Sequence, residues 1–208
     1  MRRGDPTGWF EALYREGDAG HAEIPWDDRK PGANLLEFWK TNGFPGEGKS
    51  AVVVGCGLGD DAEQLAAWGF RTMAFDISAT AIAMAHKRFP NSKVDYNAVD
   101  LFKAPDAWRG AFDFVFESNT LQALPANLRP QAIDAVAGFV RPGGFLLVIA
   151  RAREESDPEE SVPWPLTRRE LDRFLQGGLT QKSFKEIADA EPPHTRRFRA
   201  TYTRNNQP

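Results

Sequence analysis

The chain has 208 residues, a length that fits one large domain with a sizeable core. Hydrophobic residues make up 41% and charged residues 26%, proportions that exclude a wholly disordered chain. The formal net charge of −3 argues against nucleic acid as a partner. No apolar run approaches the ~18 residues of a membrane helix, so we expect a cytoplasmic protein without a membrane partner. Cys56 is the only cysteine, which excludes an internal disulfide, and we expect no metal.

The first 48 residues differ from the rest because aromatic and turn-forming residues crowd them. We expect residues 1–48 to form a lid segment with one short helix over 34–40. Residues 49–208 are then expected to form the main domain.

From residue 51 onward, short apolar runs alternate with amphipathic segments. Continuous apolar runs are typical of strands that are buried on both faces. The run AVVVG (51–55) predicts the first strand, and four more strands are predicted at 71–76, 93–100, 112–118 and 145–151.

Helices are predicted between these strands. Asp60 and Glu63 have the spacing of a capping box at the start of the first, and Ser78 is a predicted N-cap for the second. A third helix is predicted over 131–140, and we expect residues 141–144 to end it as a loop.

The last part of the chain predicts a loop over 151–165, a capping box at Thr167 and Glu170, and strands at 180–188 and 195–203. Within the final strand, apolar and polar residues alternate, a pattern typical of a half-buried antiparallel strand. The whole order predicts an α/β fold, a Rossmann-like, doubly wound, mostly parallel seven-stranded sheet with an antiparallel C-terminal strand.

The sequence VVVGCGLGDDA (52–62) joins the first predicted strand to its helix, the context that a nucleotide-binding loop requires. A dinucleotide loop would have its third glycine at position 60, where this chain has Asp60, followed by Asp61. Two carboxylates repel a pyrophosphate and tolerate a cationic ligand. A glycine turn that only packs a helix on a strand is the alternative.

Asp76 ends the second predicted strand, and it follows Gly55 by about 20 residues, the offset of a carboxylate that accepts ribose hydroxyls. Ile77 would then lie against an adenine ring. Asp100 and Leu101, after the third strand, are candidates to bind the adenine amine and cover its face. The alternatives are a helix N-terminal carboxylate at Asp76 and a solvated loop aspartate at Asp100.

Glu117, Ser118 and Asn119 end the fourth predicted strand, at the edge of the sheet where doubly wound folds bind ligands. A polar strand end without a function is the alternative. His21 is the one histidine that we expect to reach a substrate, with a solvated loop histidine as its alternative.

Five segments together resemble the class I S-adenosylmethionine-dependent methyltransferases: GCGLGDDA, AFDIS (74–78), VDLF (99–102), FDFVFES and RPGG. PWDDRKPGANLLEFW (25–39) and VPWPLTRREL (162–171) are similar to the thiopurine, thiol and halide methyltransferase group. That group often has two tryptophans before the PWD segment, and in this chain Tyr14 or Leu13 stands where one of them would fall. The DDRKP stretch likewise departs from the group's D-I-G-R-P.

The resemblance implies S-adenosyl-L-methionine as cofactor and in-line transfer of its methyl group to a small molecule. Cofactor contacts are implied for Trp26, Gly55, Cys56, Gly57, Asp76, Ile77, Asp100, Leu101, Glu117 and Ser118. Substrate contacts are expected from Trp9, Tyr14, Arg151 and Trp164. Residues that could position the reacting groups are Glu117, Asn119 and His21.

A thiol, a halide or a related soft nucleophile is the acceptor that the resemblance implies, and such an acceptor needs no strong general base. N- or O-methylation of an aromatic metabolite stays an alternative. Two further alternatives are a non-catalytic binding domain and a nicotinamide-dependent oxidoreductase, and Asp60 argues against the latter. We expect a monomer or homodimer.

Overall fold

The computed structural model describes residues 6–43, 45–157, 162–189 and 194–206. Residues 158–161 of the predicted loop therefore lie outside the described residues. The helices are α1 Gly8–Asp18, α2 Ala33–Asn42, α3 Asp60–Ala67, α4 Ala79–Arg88, α5 Arg129–Phe139, α6 Arg168–Leu171 and α7 Arg173–Gln176. The strands are β1 Ser50–Val54, β2 Arg71–Asp76, β3 Asp95–Ala98, β4 Phe112–Ser118, β5 Val140–Arg151, β6 Leu179–Ala188 and β7 Arg196–Arg204.

The seven strands form one sheet in the order β3-β2-β1-β4-β5-β7-β6. The predicted fold class is confirmed, because parallel pairs precede an antiparallel end in this sheet. No helix in the described ranges is long and apolar enough to cross a membrane. The chain divides into two compact units, residues 1–103 and 104–208.

In the first unit, β2 pairs in parallel with β1 on one side and with β3 on the other. Every residue of β1 after Ser50 is buried, as expected for a parallel strand that helices cover on both faces. Ser78 caps α4 as predicted, with its Oγ accepting from the amide of Ala81 at 3.0 Å. β3 is shorter than predicted and covers Asp95–Ala98 only.

The predicted capping box of Asp60 and Glu63 is wrong. Gly59 takes the N-cap position of α3 with a left-handed φ of 94°, so that Asp60 is already the first helical residue. Glu63 accepts hydrogen bonds from Ser92 and from the Tyr96 hydroxyl instead.

In the second unit, β4 pairs in parallel with β5, and β7 lies antiparallel between β5 and β6. Two predictions for this unit are wrong. A loop over 141–144 was expected before a strand at 145–151, but β5 begins at Val140, directly after α5. Val140 already pairs with Phe112, and the register shifts between Phe112 and Phe114. β7 was expected to be half-buried, but its middle, residues 198–202, is buried on both faces, including Arg199 and Thr201, because it is an inner strand.

The predicted capping box of Thr167 and Glu170 is confirmed at the start of α6. The Thr167 hydroxyl accepts from the Glu170 amide at 3.3 Å, and the Glu170 carboxylate accepts from the Thr167 amide at 2.8 Å. These two bonds satisfy amides that a helix otherwise leaves without partners.

Gly59 is expected to tolerate no side chain. Its φ is left-handed, and an added Cβ would contact the Tyr96 hydroxyl at a distance that no real side chain allows. We expect Gly59→Ala to lower the free energy of unfolding by about 3 kcal/mol, because backbone strain and a steric clash add. Urea denaturation measures this loss.

Gly20→Ala is the matched control, because Gly20 also has a positive φ, of 75°, but an added Cβ would meet nothing within 4 Å. Only the backbone strain of about 1 kcal/mol is expected there. Equal losses in both variants would contradict the packing of Tyr96 on Gly59.

Candidate functional site

Asp76, at the end of β2, holds the glycine loop in place. Its Oδ2 accepts from the amide of Gly57 at 3.0 Å, and its Oδ1 accepts from the amide of Ser78 at 2.9 Å. The residue is only 6% exposed, and this burial raises its pKa while the backbone hydrogen bonds oppose the rise. The amide of Ile77 also favours the ionised form of this carboxylate. A carboxylate can accept about four hydrogen bonds, so Asp76 keeps acceptor capacity beyond its backbone partners.

Two aromatic residues of the predicted lid segment lie on this loop. A Cβ added to Gly57 would be 3.0 Å from the Tyr14 hydroxyl and 3.7 Å from Trp26 Nε1. Trp26 Nε1 in turn donates to the Tyr14 hydroxyl at 2.7 Å. The lack of a side chain at Gly57 therefore lets the aromatic pair approach the loop closely.

Trp9 lies beside the same pair. Its ring meets that of Trp26 edge to face, with centroids 6.2 Å apart. The indole N–H of Trp9 is buried and reaches no acceptor within the described part of the chain. Trp26 itself is 41% exposed, so one face of this aromatic cluster (Trp9, Tyr14 and Trp26) remains open to solvent.

The residues predicted to contact adenine follow β2 and β3. Ile77 comes directly after Asp76 and is an exposed apolar side chain, at 37%. Asp100 Oδ1 accepts from the amide of Phe102 at 3.0 Å, and its Oδ2 lies 3.4 Å from Lys103 Nζ. Leu101 begins a single 3₁₀ turn and is half-buried. Because β2 and β3 are parallel neighbours, these residues belong to the same edge of the sheet.

Cys56 sits inside the glycine loop, where its amide donates to the carbonyl of Phe75 at 2.9 Å. Burial, with the nearby charge of Asp76, raises the pKa of its thiol well above the ordinary value. The side chain is therefore protonated at neutral pH, which suits a packing role rather than a nucleophile.

Asp60 and Asp61, expected to tolerate a cationic ligand, have protein partners instead. Asp60 lies 3.3 Å from the Arg88 guanidinium, which also donates to Asp27 at 2.8 Å. Asp61 accepts from the amide of Gly32 at 2.8 Å, and burial raises the pKa of its carboxyl to about 6. The two aspartates thus fasten the PWD segment to the start of α3.

In the second unit, Glu117 is fully buried near the end of β4. Its Oε1 accepts from the amides of Thr120 and Leu121 at 2.8 and 2.9 Å. Its Oε2 is buried and has no hydrogen-bond partner among the residues that the structure describes. Burial raises the pKa of Glu117 to about 7, although the two amide bonds act against the rise.

Asn119 has a left-handed φ of 65°, which asparagine tolerates better than most residues. Its amide group donates to the Ser118 hydroxyl at 3.1 Å and accepts from Arg197 at 2.9 Å. Arg197 also donates through Nε to the carboxylate of Asp189, at 2.6 and 2.9 Å. Arg197 carries no local sequence signal for this role, because its partner Asn119 is 78 positions away in the chain.

Arg151 and Trp164 both contact Gln122, a residue for which no role was predicted from the sequence. Both backbone amides donate to Gln122, from Arg151 to its side chain at 2.6 Å and from Trp164 to its carbonyl at 2.7 Å. The Trp164 ring lies 5.9 Å from the guanidinium carbon of Arg129. His21, by contrast, is an exposed residue whose ring nitrogen lies 3.5 Å from Glu16, and the structure does not bring it to the glycine loop.

Glu117 makes the stability of the protein depend on pH. The ordinary pKa of 4.5 applies to the unfolded chain, and the pKa is about 7 in the folded one. The folded chain therefore keeps the proton longer, so its free energy of unfolding falls as pH rises from about 4.5 to 7. The loss from this one group is of the order of 3 kcal/mol.

Glu117→Gln is expected to remove this loss. As the pH rises from about 4.5 to 7, the variant should lose less free energy of unfolding than the wild type. Urea denaturation at half-unit pH steps measures it. Parallel stability curves for the two proteins would show that Glu117 is already ionised in the folded chain.

The sequence of this chain matches a known protein family. A model of the thiopurine S-methyltransferase family matches residues 19–207. A probable thiol methyltransferase of Arabidopsis thaliana is 30% identical over 67% of this chain and 65% of its own length. The match thus spans less than two thirds of that relative. A thiocyanate methyltransferase of the same plant is 28% identical over 82% of this chain and 72% of its own length.

A solved structure agrees with the fold. An N-methyltransferase of Bradyrhizobium japonicum, in complex with S-adenosyl-L-homocysteine, has a TM-score of 0.70 at 19% identity, and the match covers 95% of this chain and 100% of that one. At this identity the likeness concerns the fold alone. The family model covers almost the whole sequence, and the chain belongs to the thiopurine S-methyltransferase family.

Proposed function

We propose that the protein transfers the methyl group of S-adenosyl-L-methionine to a small soft nucleophile, with a thiol as the first choice. One observation carries this proposal: the buried carboxylate of Asp76 is fixed at the end of β2 by the amides of Gly57 and Ser78. A carboxylate held there suits the two hydroxyls of a ribose. The family match supports methyl transfer as the activity.

The residues of the first unit fit this cofactor by their chemistry. Asp76 retains acceptor capacity for the ribose hydroxyls, and Ile77 offers an exposed apolar side chain for the adenine ring. Gly57 has no side chain that would keep a ligand from its backbone. The buried indole N–H of Trp9 offers a donor that has no acceptor among the described residues.

The aromatic cluster of Trp9, Tyr14 and Trp26 suits the charge of the cofactor. Aromatic faces attract cations, by about 0.5–2 kcal/mol depending on how far the contact is desolvated. The bound cofactor supplies a methyl group that its positively charged sulfur has already activated. The chain's own contribution is to bind and orient this group and to exclude water from it, which is worth up to ~7–11 kcal/mol in well-aligned reactions.

Two relatives support a soft acceptor, because one is named as a probable thiol methyltransferase and the other as a thiocyanate methyltransferase. Such an acceptor also needs no strong general base, because a thiol with a pKa of about 8.5 is partly ionised at neutral pH. In the first unit, the only thiol, that of Cys56, is held protonated by burial and takes no part.

We further propose that Glu117 and Ser118 contact the reacting end of the cofactor, and that Arg151 and Trp164 contact the acceptor. The partnerless Oε2 of Glu117 supports the first assignment, because a buried acceptor atom is costly without a donor. Asn119, held by Arg197, stays a proposed positioning residue. The lid boundary at residue 48, a cytoplasmic monomer or homodimer, and the absence of a nucleic-acid partner stay predictions.

Cofactor binding is tested by isothermal titration with S-adenosyl-L-homocysteine, with NADH run in parallel. We expect micromolar binding of the first and none of the second. Asp76→Ala should weaken binding at least tenfold, because two charge-assisted hydrogen bonds are lost. Asp95→Ala, an exposed aspartate on the neighbouring strand, is the matched control and should bind like the wild type. Binding of NADH alone would refute the proposed function.

The acceptor is tested with S-adenosyl-L-methionine that carries a labelled methyl group. Transfer is expected to a small aliphatic thiol and to thiocyanate or iodide, at a rate that greatly exceeds transfer to a phenol or an aromatic amine. Preference for the phenol or amine would favour O- or N-methylation instead. Cofactor binding without transfer to any of them would indicate a non-catalytic binding domain.

A further inference from the structure

Helix α1 is attached to the start of α4 by one carboxylate. Glu11 Oε2 accepts from the Ser78 hydroxyl at 2.7 Å and from the Thr80 amide at 3.2 Å, and its Oε1 accepts from the Thr80 hydroxyl at 2.6 Å. Partial burial opposes ionisation, but these hydrogen bonds lower the pKa of Glu11 overall. A negative charge at this place also complements the positive end of the α4 dipole.

The same face of α1 carries a second attachment one turn later. Tyr14 follows Glu11 by three positions, which places the two side chains on one face of the helix. Tyr14 is buried in a small apolar cluster with Leu58 and Ala81. Its hydroxyl lies against Gly57 and accepts from Trp26, as described above. α1 is therefore held at two points, one polar at Glu11 and one aromatic at Tyr14.

The two attachments meet at Asp76. Ser78, which donates its hydroxyl to Glu11, also donates its amide to Asp76. Gly57, on which Tyr14 packs, donates its amide to the other oxygen of the same carboxylate. Three hydrogen-bonded links, Glu11 to Ser78, Ser78 to Asp76 and Asp76 to Gly57, and the packing of Tyr14 on Gly57 form a closed ring that returns along α1.

We propose that Glu11 is a positioning residue for the cofactor, because it holds α1 where Tyr14 lies on the glycine loop and Trp9 packs beside Trp26. This inference rests on the proposed function, since it needs a cofactor bound at Asp76. Without the carboxylate, α1 keeps only its aromatic attachment, and the closed arrangement becomes a smaller fraction of the population. The apparent affinity for the cofactor falls by that same fraction.

The test compares Glu11→Ala and Glu11→Gln with the wild type by titration with S-adenosyl-L-homocysteine. Glu11→Ala is expected to bind about tenfold more weakly, as the loss of a charge-assisted contact implies. Glu11→Gln should fall between the two, because its amide oxygen still accepts. Glu16→Ala is the matched control on the same helix. The Glu16 carboxylate is exposed, so this variant should bind S-adenosyl-L-homocysteine like the wild type.

Three further measurements separate positioning from a merely structural role. The KM for S-adenosyl-L-methionine should rise about tenfold in Glu11→Ala, with kcat at saturation within about twofold of wild type. Hydrogen exchange of the α1 amides in the free protein should quicken, while that of β1 and β2 stays unchanged. Thr80→Val should weaken binding alone and add little to Glu11→Ala, because the two residues share the contact.

The outcomes distinguish this inference from the function on which it rests. If the wild type binds S-adenosyl-L-homocysteine and the folded variants Glu11→Gln and Thr80→Val bind equally well, the role of Glu11 is refuted and the proposed function stands. If the wild type does not bind it, both fall. A tenfold loss with unchanged exchange in α1 would also overturn the inference, because the helix would not have been released.

Discussion

The carboxylate of Asp76, with its two backbone hydrogen bonds, is the interaction on which the candidate site depends. It fixes the left-handed Gly57 in the loop after β1 and the N-cap Ser78 of α4, so that one residue joins two connections of the parallel sheet. Burial makes this carboxylate costly, and its amide partners offset part of that cost. A buried carboxylate whose pKa is shifted by its surroundings, beside the partly exposed ring of Trp26, is typical of ligand sites.

The fold could be predicted because its strands and caps have local signatures. β2 and β4 were predicted with the bounds that the structure shows, since each is a short, mostly apolar segment between amphipathic or turn-forming ones. Ser78 and Thr167 were recognised as caps because capping depends on residues three positions apart. Asp76 was found for a related reason, since its distance from the glycine loop is set by the length of one helix and one strand.

The remaining features depend on contacts between distant parts of the chain. Glu11 binds residues 67 and 69 positions away, and no pattern near Glu11 indicates them. The sequence indicated which ligand charge Asp60 and Asp61 would tolerate, but it did not reveal that they contact Arg88 and the backbone of Gly32. Gly59, and not Asp60, is the N-cap of α3, because Gly59 adopts a left-handed conformation that propensity alone does not reveal. β7 looked half-buried because its buried arginine and threonine are polar by type.

Hydrogen exchange with and without saturating S-adenosyl-L-homocysteine tests most directly whether the ring of contacts around Asp76 is the cofactor site. We expect exchange to slow together in α1, in the loop around Gly57 and at the start of α4, because the ligand stabilises elements that the contacts around Asp76 and Glu11 already join. Slowing that spares all three of these segments while the ligand is bound would contradict it and place the cofactor elsewhere.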